Sequence, residues 1–288
     1  MTKVMVIGAS GFLGREVMKA FAAEGPVVGL SRRGGPGLEA VDIRERVQLE
    51  AAVARHRPAL VILLAAYREP DVCEEDPAEA RRLNVEPARV LREILPVRTP
   101  LLFTSTDYVF NGEQPPYRED SPPRPVSLYG RSKAEAEALL AGRPHTAILR
   151  IPLLIGGGAT LDDCGFIGHM VKAVRDPRPQ LLDDVLVRFP TWTRDVAGAL
   201  RFLAGRRAEG IYHFSGARGG TRYTWTLEMA RLLGLPCGHL TPSRDVVPRK
   251  AVRPRNSQLA DDKIRALGYV QRTDFADVVR TVLGELGA

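Results

Sequence analysis

The chain of 288 residues has little cysteine and few aromatic rings: three Cys, two Trp, and 6% Phe, Trp and Tyr together. Cys73, Cys164 and Cys237 lie far apart and form no Cys-x-x-Cys pair, so neither a disulfide framework nor a zinc site is expected, and the chemistry read below requires no metal. No apolar run approaches the roughly 20 residues that cross a bilayer, which removes a membrane as partner. The opening "MTKVMVIGAS" enters an apolar strand directly, without a cleavage-site pattern or a Ser-rich transit segment, and the expected compartment is the cytoplasm. Charge of one sign is nowhere concentrated. The 41 Lys and Arg are interspersed with 34 Asp and Glu and form no basic stripe, so a small anionic ligand explains the net +7 as well as nucleic acid would, and no nucleic-acid partner is expected. His56, His145, His169, His213 and His239 are scattered and read as structural.

What is present is an alternation. "KVMVIG", "PVVGL", "ALVILLAA", "PLLFTST" and "HTAILRI" are short apolar runs separated by amphipathic stretches, the pattern of βαβ units around a parallel sheet buried on both faces. The expected class is α/β, a Rossmann doubly wound parallel sheet with a smaller C-terminal lobe. Residues 1–150 would form the NADP-binding domain. Residues 151–288 would form mainly the substrate lobe, with some segments packing back. There "TWTRDVAGALRFLAG" and "TWTLEMARLLGL" read as helices and "GIYHFSG" as a strand. The proline-rich "EQPPYREDSPPRPVS" is a long loop before a helix, and loops of that length in compact domains tend to act as lids.

The first chemical motif is "GASGFLG", which follows the first strand and opens a helix near Phe12. Gly8, Gly11 and Gly14 let the main chain approach a pyrophosphate, and the helix start supplies free N–H groups for its charge. Ser10, Phe12 and Leu13 lie in the same turn. After the second strand, "GLSRRGG" places Ser31, Arg32 and Arg33 where an NAD-preferring site usually carries an acid. Arginine forks suit a phosphate dianion, so the expected cofactor is NADP(H), with NAD(H) second. Asp42 and Ile43 would flank the adenine, and Ala65 and Ala66, ending the strand "ALVILLAA", would line the same site.

The second motif joins "FTSTDYVFNG" to "YGRSK". Tyr129 and Lys133 are four apart and share one helix face. A free phenol titrates near 10 and is a poor acid–base catalyst at neutral pH, but a neighbouring ammonium would stabilise the phenolate and lower that value. Thr106, at the end of a strand, would bring a second hydroxyl to the same substrate oxygen.

"GASGFLG", "STDYVFNG", "YGRSK", "RFPTWTRDVA" and "RPRNSQL" together resemble the extended short-chain dehydrogenases/reductases, and within them the dTDP-4-dehydrorhamnose reductase group, over nearly the whole chain. The resemblance implies catalytic Thr106, Tyr129 and Lys133, with Asp107 and Tyr108 at the substrate edge and Gly8, Gly11 and Gly14 under the cofactor pyrophosphate. "AAYREPDVCEEDP", "LNVEPARVL", "PPYREDSPP" and "LRIPLLIGG" look closer to the branch of methionine adenosyltransferase regulatory beta subunits. Reductases acting on the dTDP-sugar typically carry Thr-Ser-Trp after the arginine of that last stretch. This chain has Ile151, Pro152 and Leu153 after Arg150.

The resulting expectation is an NADPH-dependent reductase of a keto-sugar nucleotide. Tyr129 donates a proton, Lys133 holds the nicotinamide ribose and tunes Tyr129, and Thr106 hydrogen-bonds the developing alkoxide. Arg188 and Arg253 are candidates for a substrate phosphate, or else pair with an acid such as Asp195. The alternative is a non-catalytic NADP-binding subunit that grips a methionine adenosyltransferase. A third reading is an NAD-dependent epimerase or dehydratase, though dehydratases typically carry an acid pair after the threonine and here Tyr108 follows Asp107. A homodimer is compatible with each.

Overall fold

The computed structural model describes residues 3–245 and 249–287. Six parallel strands come from the first half: β1 (Val4–Ile7), β2 (Val27–Ser31), β3 (Leu38–Ala40), β4 (Leu60–Leu63), β5 (Leu101–Thr106) and β6 (Thr146–Ile151). The second half adds β7 (Leu154–Ile155), β8 (Gln180–Asp183), β9 (Thr191–Trp192), β10 (Gly210–His213) and β11 (Leu240–Ser243). The main sheet has seven strands in the order β10-β6-β5-β4-β1-β2-β3. Every pair in it is parallel. The order in which strands are added reverses between β1 and β4, and ligands of doubly wound sheets bind outside the strand ends at such a switch point.

Strands β1, β4, β5 and β6 are buried at every residue, which is why they are continuous apolar runs rather than alternating ones. One face is covered by α1 (Phe12–Ala22) and α8 (Thr193–Gly205). The other is covered by α2 (Arg46–His56), α5 (Glu86–Ile94) and α6 (Leu128–Leu140), with α3 (Pro70–Glu75) and α4 (Pro77–Asn84) beside them. Thus β10 and α8, from the second half, belong spatially to the first.

A separate core gathers α7 (Phe166–Arg175), α9 (Arg222–Leu233) and α11 (Phe275–Leu286) with the small sheet of β8 and β11. The short α10 (Asp262–Ala266) packs on β10. Among the described residues no helix is long and apolar enough to cross a membrane.

The proline-rich loop departs from the expected lid. Tyr117 in it is buried, stacks on Phe110 with ring centroids 4.1 Å apart, and exchanges backbone hydrogen bonds with the strand-like stretch at Gln258 and Ala260. An aromatic anchor therefore fastens the loop to the C-terminal segment, and none of residues 113–127 lines the main cavity.

Candidate functional site

A cavity of about 640 Å³ opens at the C-terminal ends of the central strands. Its first wall is the turn from β1 into α1. A Cβ on Gly8 would fall 2.7 Å from the Ala65 amide nitrogen, and one on Gly14 would fall 2.1 Å from the Gly8 carbonyl oxygen, so both close approaches require glycine. Helix α1 begins with Gly11 as its cap, with no side-chain capping bond and no acid in its first turn. The amides at its start are left to an outside acceptor, and with the dipole they form an anion site. Gly8, Ser10, Gly11, Phe12, Leu13 and Gly14 all line the cavity, as do Ala65 and Ala66 opposite.

Beyond β2, Ser31 is buried and its hydroxyl donates to the Gly34 carbonyl at 3.0 Å, closing the loop on itself. Arg32 is exposed on the cavity wall, whereas Arg33, also exposed, is not part of the lining. Asp42 and Ile43 line the cavity too. Arg44, absent from the sequence-based candidates, joins them: it grips the Asp42 carboxylate and reaches Glu79. The Arg44 hydrogen bond holds Asp42 below the usual carboxylate range against the opposing effect of burial.

The opposite wall carries the hydroxyls. Strand β5 ends at Thr106, whose Oγ1 accepts from the Tyr108 amide at 3.2 Å and lies 3.2 Å from Asp107 Oδ1, to which it donates. Residues Asp107–Val109 form one tight 3-10 turn. Helix α6 is capped by Ser127, whose hydroxyl accepts from the Gly130 amide at 3.2 Å, and it presents Tyr129 and Lys133 one turn apart. The Tyr108 and Tyr129 rings meet edge to face at 5.9 Å, and Lys133 Nζ sits 3.9 Å over the Phe103 ring. Thr106, Asp107, Tyr108, Tyr129 and Lys133 all border the cavity.

Asn84 is a further residue that the sequence reading passed over. It is buried, accepts from the Tyr67 amide at 2.7 Å, and donates to the Tyr67 carbonyl at 3.1 Å and to Ser132 Oγ at 2.9 Å. Ser132 in turn donates to the Tyr129 carbonyl at 2.8 Å. One amide side chain thereby ties the loop after β4 to the helix bearing Tyr129 and Lys133. Its only sequence signal is an uncharged polar residue set between Leu83 and Val85 in the amphipathic stretch "RRLNVEPARVL".

The electrostatics reverse one expectation. Burial pushes the Tyr129 phenol above its ordinary value, with the nearby Thr106 hydroxyl opposing it, and Lys133 is pushed down to about 7 by its own burial. Desolvation is the largest influence on both groups, so the phenol is kept protonated rather than acidified. Asp107, also buried, is pushed up to about 6, with Ser257 and then Arg188 acting against the shift.

At the substrate end, Arg188 Nη1 donates to the carbonyls of Val187 at 2.7 Å and Pro254 at 3.1 Å, and its guanidinium lies 5.6 Å from the Tyr108 ring. Its Nη2 is buried with no partner, as is Ser105 Oγ; both residues line the cavity. Arg253 is outside the lining and forks onto Asp71 at 3.1 and 2.7 Å. Asp195 pairs with neither arginine, accepting instead from Thr273 and Gln271. Ser257, from "RPRNSQL", hydrogen-bonds Asp107. Ile151, Pro152 and Leu153 form the apolar side, and none of the five histidines contributes.

Bare helix amides, a glycine-tight turn and buried donors without partners are the features a dinucleotide and a polar substrate would need. The known proteins similar to this chain fit that geometry. The RmlD substrate binding domain family matches residues 1–287. Methionine adenosyltransferase 2 subunit beta of Xenopus tropicalis is 36% identical over 98% of this chain and 87% of its own length. A dTDP-4-dehydrorhamnose reductase of Streptomyces griseus is 36% identical over 92% of this chain and 87% of its own. Among solved structures, the dTDP-4-dehydrorhamnose reductase of Bacillus anthracis in complex with NADP superposes with a TM-score of 0.88 at 23% identity, covering 99% of this chain and 100% of that one. With the family matched from end to end and the Rossmann strand order in place, the chain belongs to the RmlD substrate binding domain family of extended short-chain dehydrogenases/reductases.

Proposed function

We propose that this protein is an NADPH-dependent reductase acting on the ketone of a sugar nucleotide. The observation that carries the reading is that Thr106, Tyr129 and Lys133 share one cavity with the bare N-terminus of α1. The amides at that terminus hold the cofactor pyrophosphate, and Arg32 takes the 2'-phosphate. When bound, the cofactor supplies hydride to the carbonyl carbon. Tyr129, kept protonated by its surroundings, donates a proton to the carbonyl oxygen, while Thr106 hydrogen-bonds the alkoxide as it forms. Lys133 holds the nicotinamide ribose. Arg188 rather than Arg253 faces the anionic part of the substrate, since Arg253 is committed to Asp71. The NADP in the similar Bacillus anthracis reductase supports the choice of cofactor.

The aliphatic Leu153 offers no ring for a sugar to stack on, so reduction of dTDP-4-dehydrorhamnose should be slow beside that of another keto-sugar nucleotide. The test is NADPH oxidation with that compound against a panel of keto-sugar nucleotides. Fast, selective turnover of the rhamnose precursor would show that Leu153 has been misjudged.

A second reading has its own support. Identity to methionine adenosyltransferase 2 subunit beta extends over almost the whole chain, which is compatible with a subunit that keeps NADP as a structural ligand and binds a methionine adenosyltransferase. No turnover of any panel member, together with a stable complex with such an enzyme in size-exclusion chromatography, would favour it.

A further inference from the structure

Between α6 and the sheet lie three charged or ionisable side chains that the proposed reaction does not use directly: Glu137, Arg150 and His213. All are buried, Arg150 at 1% exposure and His213 at 0%. Glu137 is one helical turn beyond Lys133, so the two share a face of α6. Both Glu137 oxygens turn toward Arg150, whose Nε donates to them at 3.0 and 3.2 Å and whose Nη2 donates at 2.7 Å. Arg150 Nη1 then lies 3.3 Å from His213 Nε2, and His213 Nδ1 lies 3.0 Å from the Ala260 carbonyl. A carbonyl can only accept, so Nδ1 carries the proton and Nε2 accepts from Arg150. Burial pushes His213 down to about 3, which keeps the ring neutral.

We propose that Arg150 is a positioning residue that sets how firmly Lys133 holds its proton, by taking up both oxygens of Glu137 and denying the ammonium a full counter-charge. The proposal rests on Lys133 being the cofactor-side lysine of the reductase. The buried pair of Glu137 and Arg150 is neutral as a unit, and His213 adds no charge. Glu137 still raises the proton affinity of Lys133, yet burial dominates and leaves it at about 7.

The remaining titratable groups on the surrounding elements do not substitute for Glu137. Tyr129 on α6 is pushed up, and Cys73 on α3 is pushed up to about 11, so both are neutral. Asp107 after β5 is pushed up to about 6 by burial, and its carboxylate accepts from the Thr106 and Ser257 hydroxyls rather than from Lys133. An unpaired Glu137 would favour the ammonium and raise the titration point. A neutral residue at 137 would lower it.

The chain contains six lysines, few enough to follow individually by 13C NMR after [13Cε]lysine labelling, with Lys133 assigned from Lys133→Met. In Arg150→Met the Lys133 titration should move up by about one pH unit or more. In Glu137→Gln it should move down. The double variant Glu137→Gln/Arg150→Met leaves neither charge unpaired, which protects folding, and with the carboxylate gone it should lose the rise seen in Arg150→Met and titrate near the parent, whose pair is already neutral as a unit. Circular dichroism establishes that each variant is folded.

Folded Arg150→Met with the parent's titration, or a double variant that titrates with Arg150→Met, would overturn the proposal and leave Arg150 a structural residue. The readout requires no turnover, so failure of the reductase reading is seen separately in the substrate assay. Where a substrate is turned over, the alkaline limb of kcat/KM should shift in the same direction as the NMR titration.

Discussion

Gly130 packs against the Tyr108 carbonyl so closely that a Cβ at residue 130 would lie 2.1 Å from the oxygen. The contact seats the first turn of α6 on the 3-10 turn after β5, and thereby sets Tyr129 beside Thr106. Gly130→Ala must push these two segments apart. The expected cost is about 1–3 kcal/mol of stability, the usual range for overpacking, read from urea denaturation. Turnover should fall further than a stability loss of that size explains, since Tyr129 itself is displaced.

Arg32 stands exposed on the cavity wall where the cofactor ribose is expected, and its neighbour Ser31 has its hydroxyl committed to Gly34. The parent should bind NADPH more tightly than NADH, and Arg32→Ala should narrow the difference with little effect on NADH. Fluorescence titration of both nucleotides decides it; equal affinities in the parent would remove Arg32 from this role.

Asp107 has the opposite pH signature from a salt-bridged carboxylate. Its folded value, about 6, lies above the ordinary value near 4, so the folded state binds its proton more tightly than the unfolded state does. The stability it contributes is full below pH ~4 and is lost as pH rises to about 6. Compared with Asp107→Asn, the parent should therefore lose Tm between those two pH values. A difference in Tm that is flat across the window would contradict the assignment.

How much of this was legible in the sequence depended on range. Strands β1, β4, β5 and β6 announce themselves because a strand buried on both faces is a continuous apolar run. The glycine turn and the Tyr129–Lys133 spacing are local patterns, so they too could be read. Strand β3 was not, because three residues after "RRGGPG" carry no periodicity.

Asn84, Arg44 and the partnership of Glu137 with Arg150 depend on contacts between distant segments that no spacing rule encodes. The proline-rich loop misled for the same reason: its length suggested a lid, while the stacking of Tyr117 on Phe110 decides its place. The Tyr129 phenol misled differently. The spacing to a lysine was legible, but the burial that sets the phenol's titration is a property of the folded cavity.

The most direct measurement compares the parent with Tyr129→Phe, which removes only the phenolic hydroxyl. NADPH dissociation constants should agree between the two proteins, because the proposed phosphate site at the start of α1 lies on the far wall. Turnover of the best keto-sugar nucleotide should drop by roughly a hundredfold or more, the scale of general acid catalysis. Equal turnover by both proteins would remove Tyr129 from the chemistry, and a parent that binds NADPH yet reduces no ketone in the panel would contradict the reductase account.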